Sequence, residues 1–123
     1  MKIKIGPYRA KKGQKIDVHI DKWDTWGMDT TLAYIIVPML KQLKATKHGI
    51  PSDFVEEGED WKISEAKWNF VLDKMIWSFE QLINSDNEEV FHPFRNRDAY
   101  YAYNEHIQEG LDLFGKYYRS LWD

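Results

Sequence analysis

The chain has 123 residues, a formal charge of −3, no cysteine and an aromatic content of 15%. That length supplies one hydrophobic core without metal or disulfide support, so a single domain over 1–123 is expected. Missing thiols exclude a disulfide framework and a thiolate zinc site and fit a reducing compartment, while the mild acidic balance argues against duplex nucleic acid as the partner.

No apolar run approaches the ~20 residues needed to cross a bilayer, and Met-Lys-Ile-Lys-Ile lacks the apolar segment of a signal peptide. The expected location is therefore cytoplasmic, with no membrane partner. Six tryptophans among so many rings exceed what a small core needs. Either large side chains fill that core, or surface rings await a partner chain or a flat ligand.

Along the chain, Lys2-Ile3-Lys4-Ile5 and Lys15-Ile16-Asp17-Val18-His19-Ile20 alternate with period 2. They predict half-buried strands with Ile3, Ile5, Ile16, Val18 and Ile20 facing inward. The turn-rich basic connector from Gly6 to Gln14 closes them into a hairpin over 1–20. A lone hairpin is marginal, so it should lie on helices or on another subunit's strands.

A first helix is expected over 27–47, capped by Asp24 or Thr25, with Asp29 as a buried carboxylate in its first turn. Met28, Leu32, Ile35, Ile36, Met39, Leu40 and Leu43 follow helical spacing, and Tyr34 and Val37 widen the face. A helix apolar on almost every side belongs at the centre of a fold. Pro38 inside it must bend the helix or free the Tyr34 carbonyl. Residues 50–63 predict a loop, and Ser64 caps a second helix over 64–84 with Trp68, Val71, Leu72, Met75, Phe79, Leu82 and Ile83 as its stripe. Ser85–Glu89 reads as a connector and Val90–Phe94 as extended, because Pro93 disfavours helix at His92. A third helix over 97–121 begins near Asn96 or Asp98, with Tyr100, Tyr103, Ile107, Leu111, Phe114, Tyr118 and Leu121 inward. Gly110 and Gly115 weaken it by roughly 1 kcal/mol each unless they admit a neighbouring helix.

The four histidines, His19, His48, His92 and His106, fall in different elements without a helical metal-binding pair, so neither metal nor cofactor is expected. Asp73 and Glu80 share one face of the second helix around Trp77. They could serve as acid and base, or form a solvated face paired with lysines. There is no phosphate loop, nucleophile elbow or cysteine nucleophile, and no catalytic residue is assigned. Cations beside rings, as at Tyr8 with Arg9 and at Lys47 with His48, suit a nucleotide whose base stacks while its phosphate is held. Snorkelling side chains over a helical core are the other account of them.

Three longer stretches carry a resemblance. Met-Lys-Ile-Lys-Ile-Gly-Pro-Tyr over 1–8, Trp-Asp-Thr-Trp-Gly-Met-Asp-Thr-Thr-Leu-Ala over 23–33 with Lys-Ala-Thr-Lys-His-Gly over 44–49, and Phe-Gly-Lys-Tyr-Tyr-Arg-Ser-Leu-Trp-Asp over 114–123 are similar to a widespread family of small proteins of tailed bacteriophages. The chain departs from that pattern in two places. The aromatic-rich insertion of many relatives after the Gly-Pro-Tyr element is here a few basic residues, and Gly27 stands where Ser is frequent.

The resemblance implies a phage source and action in the host cytoplasm. By analogy with other small non-structural phage proteins, it implies stoichiometric binding rather than turnover. The fold expected is α+β, mainly α, with an N-terminal hairpin packed on three helices and a two-fold homodimer. The leading expectation is a host-takeover protein that sequesters a cyclic nucleotide signal of antiviral defence. In it Tyr8 and Trp26 stack on bases, Arg9, Lys47 and His48 meet phosphates, and Asp29 is a further ligand contact. The alternatives are a protein-interaction module that inhibits a host enzyme, and a minor virion or assembly component. A nucleotide hydrolase is the outsider.

Overall fold

The computed structural model describes residues 1–84 and 96–123. The expected connector 85–89, the extended stretch 90–94 and His92 lie outside the described residues. The architecture is α+β and mainly helical: a two-stranded antiparallel hairpin precedes three helices. Strands β1 (Lys2–Ile5) and β2 (Ile16–His19) pair Lys2 with His19, Ile3 with Val18, Lys4 with Asp17 and Ile5 with Ile16. The period-2 pattern therefore puts all the branched residues on one face and the charges on the other. That apolar face is exposed rather than half-buried, and no strand Cα comes within 8 Å of a helix Cα. The chain leaves β2 through a 3-10 turn, Lys22–Thr25, that packs on the first helix and whose Asp24 also meets the Met1 ammonium at 3.2 Å. Among the described residues, no helix is brought over the strands.

Helix α1 (Met28–Thr46) runs unbroken through Pro38, whose exposed side lets water reach the freed Tyr34 carbonyl. Its N-cap is Gly27, with no side-chain cap. The expected caps are engaged elsewhere: Thr25 Oγ1 donates to the Lys22 carbonyl at 3.1 Å, and Asp24 accepts from the Asp21 N–H at 2.7 Å. The buried residues of α1 are Ala33, Val37 and Leu40, while Met28, Leu32, Tyr34 and Met39 are exposed. Only part of the expected stripe thus faces inward.

Helix α2 (Trp61–Ile83) starts one turn before the expected Ser64 cap, because Asp60 accepts from the Lys62 N–H at 2.9 Å and closes the end first. Ser64 instead opens the buried stripe of Ser64, Trp68, Leu72, Met75, Ile76 and Phe79. Helix α3 (Arg97–Tyr117) is capped by Asn96, which accepts from the Ala99 N–H at 3.1 Å, and ends in a 3-10 turn at Tyr118–Ser120. The expected 97–121 helix is therefore shorter, and the turn buries Tyr117 while exposing Tyr118.

The central helix is α2, not α1. Both α1 and α3 pack along it, yet no Cα of α1 comes within 8 Å of one in α3. The physical reason is α2's wide stripe, which faces both neighbours at once. On the α3 side, a Cβ added to Gly110 would overlap the Ser78 hydroxyl and lie 2.6 Å from the Lys74 carbonyl oxygen. Gly110 thus lets α3 approach α2 closely, whereas Gly115 meets open space. Phe54, Trp68 and Tyr117 close one end of the core with ring centroids 5.2–5.6 Å apart. Ion pairs brace the flanks: Lys44 with Asp73 at 2.6 Å across α1 and α2, and Lys74 with Glu109 at 2.5 Å across α2 and α3.

Candidate functional site

The six residues expected to form one ligand site fall at three separate places. Tyr8 and Arg9 lie exposed in the hairpin connector. Trp26 and Asp29 stand at the start of α1, and Lys47 and His48 just beyond its end. A helix of 19 residues separates those two pairs by about 28 Å, too far for one nucleotide to bridge.

At the first end, Trp26 is 80% exposed and meets Trp23 edge to face at a centroid distance of 4.5 Å. The Lys22 ammonium lies 5.1 Å from the Trp23 ring, so this aromatic pair carries one cation. Asp29 is exposed rather than buried. Gly27 leaves the first turn of α1 open to solvent, and the carboxylate stays in water where its charge costs least.

At the other end, the Lys47 side chain is only 5% exposed. Its ammonium donates to the Lys44 carbonyl at 3.0 Å and meets Glu65 at 3.5 Å, so it is committed to closing α1 and bracing α2. His48 is open to solvent but held by Asp123, whose carboxylate accepts from the His48 N–H at 2.5 Å and meets Nδ1 at 2.9 Å. The backbone N–H first, and the imidazole second, hold the Asp123 carboxyl below the usual carboxylate range.

Sequence reasoning missed a cleft of about 530 Å³ between the second half of α1 and the C-terminal segment. Ile36, Met39 and Leu43 form one wall, Phe114, Tyr118 and Leu121 the other, and Gln42 and Thr46 put polar atoms at the edge. It exists because α1 is apolar on two faces: Ala33, Val37 and Leu40 pack on α2, while on the other Ile36 and Leu43 are only partly covered and Met39 is exposed. The signal was the all-round apolarity of that helix, which also describes a helix with a second face awaiting a partner. Phe114 and Tyr118 stack edge to face at 5.5 Å and stiffen the opposite wall.

The paired carboxylates of α2 do not form an acid–base couple. Asp73 is bound to Lys44, and Glu80 lies 3.9 Å from Lys41. Among the described residues, no three His, Asp or Glu side chains gather as a metal site, and no helix is long and apolar enough to cross a membrane. What the arrangement offers chemically is apolar contact with a polar edge, together with exposed indoles at the far end. Family models, curated proteins and solved structures yield no match to this chain.

Proposed function

We propose that this protein acts by stoichiometric binding, as a protein-interaction module whose α1–α3 cleft takes an amphipathic helix of a partner protein. The observation that carries the reading is the partly covered apolar face of α1, set opposite Phe114, Tyr118 and Leu121 across an open cleft. A helix with apolar residues at i, i+3, i+4 and i+7 fills such a groove, while Gln42 and Thr46 face its polar flank. The similarity of the sequence motifs to small tailed-phage proteins makes a host protein, inhibited during infection in the host cytoplasm, the natural partner. Nucleotide capture, the other reading, loses Lys47 as a phosphate contact, since that ammonium is committed within the fold.

The test places a photoreactive group at Gln42, which is exposed and lies at the cleft edge. Cross-linking in host lysate should attach a segment with helical apolar periodicity, and Met39→Glu with Tyr118→Glu should abolish recovery of that same protein without lowering Tm. Unchanged recovery by the double variant overturns the cleft reading. Heat evolved on titration with a cyclic di- or trinucleotide, lost in Trp26→Ala, would move the function to the indole end.

A further inference from the structure

The hairpin has an edge whose chemistry is complementary to itself. Gly6 N–H donates to the Lys15 carbonyl at 2.9 Å, one step beyond the paired strands. In an antiparallel ladder, bonded and non-bonded pairs alternate. Gly6–Lys15, Lys4–Asp17 and Lys2–His19 are therefore the bonded pairs, and the backbone groups of Ile16, Val18 and Ile20 point away from β1. No described residue bonds to these outward groups. The side chains of the same residues form the exposed apolar face.

Around Val18 the alternation of polar and apolar residues reads alike in both directions, with acid and base exchanged: Lys15, Ile16, Asp17, Val18, His19, Ile20, Asp21. An antiparallel copy of β2 related by a two-fold axis at Val18 sets Val18 against itself, Ile16 against Ile20, Asp17 against His19 and Lys15 against Asp21. Every opposed pair is apolar with apolar or acid with base, the pairings that stabilise neighbouring strands. The outward N–H and C=O groups of Ile16, Val18 and Ile20 meet their counterparts in this register, so its hydrogen bonds fall where the free groups are.

The β1 edge behaves oppositely. Self-pairing of β1 about Lys2, Ile3 or Lys4 opposes lysine to lysine, and like charges directly opposite are destabilising, while pairing about Ile5 puts Pro7, which has no N–H, at a bonded position opposite Ile3.

We propose that a second copy of this chain docks on β2 through this register, joining two hairpins into one continuous sheet with a shared apolar face. The inference rests on the hairpin alone and stands apart from the cleft and its partner. Edges as short as β2 bury less than the ~1,200 Å² of a standard stable interface, so the dimer forms in a concentration-dependent way.

Sedimentation and amide exchange test it on the whole chain. As concentration rises into the millimolar range, dimer should appear, and the amides of Ile16, Val18 and Ile20 should gain protection while those of Ile3 and Ile5 do not. Val18→Pro should abolish the dimer yet keep the Lys4 and Asp17 amides protected, because the N–H it removes points away from β1. Ile3→Pro, the matching change on the other edge, should leave the dimer intact. His19→Asp opposes two carboxylates across the axis while gaining Lys2 within the hairpin, and should raise the dissociation constant roughly tenfold. A monomer at every concentration, a dimer that survives Val18→Pro, or one lost in Ile3→Pro overturns the proposal.

Discussion

Ile16 and Val18 on β2, and Ile20 just after it, are 66%, 49% and 54% exposed, whereas Leu72, Met75 and Phe79 on α2 are 0%, 0% and 7% exposed. Both sets recur with the period of their own element, so periodicity alone does not distinguish them. The difference is what lies opposite. Helix α2 has a neighbour on each side, while the hairpin leads into the body through one short turn and, among the described residues, no helix lies over it. Period identifies an apolar face, and tertiary connection decides whether this chain or another covers it.

Truncation in each region should break the comparison most sharply. Leu72→Ala empties a fully enclosed position and is expected to cost about 2–5 kcal/mol in chemical denaturation. Ile16→Ala, measured on monomeric protein, should stay within about 0.5 kcal/mol because its side chain already meets water. Equal losses would mean that the hairpin packs on the body.

Glycines of α3 give a finer contrast within the helical half. Gly110→Ala must drive α2 and α3 apart at Ser78 and should destabilise by about 1–3 kcal/mol. Gly115→Ala meets no neighbour and should stabilise by roughly 1 kcal/mol at most, through helix propensity. Paired thermal melts read the opposite signs directly.

The smallest effect belongs to the α2–α3 ion pair. The Lys74 ammonium holds the Glu109 carboxyl below its usual range, so the pair stabilises the fold above the unfolded carboxyl's pKa. That contribution fades as pH falls through the lowered folded value. Glu109→Gln should thus lower Tm slightly at neutral pH, and the two melting curves should converge in acid. A gap that widens on acidification would show the pair to be irrelevant.

Much of the helical body was legible because α2 and α3 carry a clear apolar stripe and a good cap. Ser64 was misjudged as a cap since Asp60 is equally able to cap and comes earlier, while Ser64 falls in step with Trp68 and Leu72. The α1 helix gave no clear signal because apolar residues surround it, and its period does not say which face meets α2. Separation of Trp26 and Asp29 from Lys47 and His48 was implicit in the expected 27–47 helix, whose length already holds its ends apart. The burial of Lys47 was not legible, since it depends on Glu65 arriving from α2.

Because α1 and α3 both lean on α2 without approaching each other, the helical body resembles a pair of tongs hinged along one spine. The His48–Asp123 contact fastens the tips beside the apolar opening. Whatever enters that opening meets at its end a polar clasp that water reaches, while Phe114 and Leu121 keep the facing wall seated on the spine.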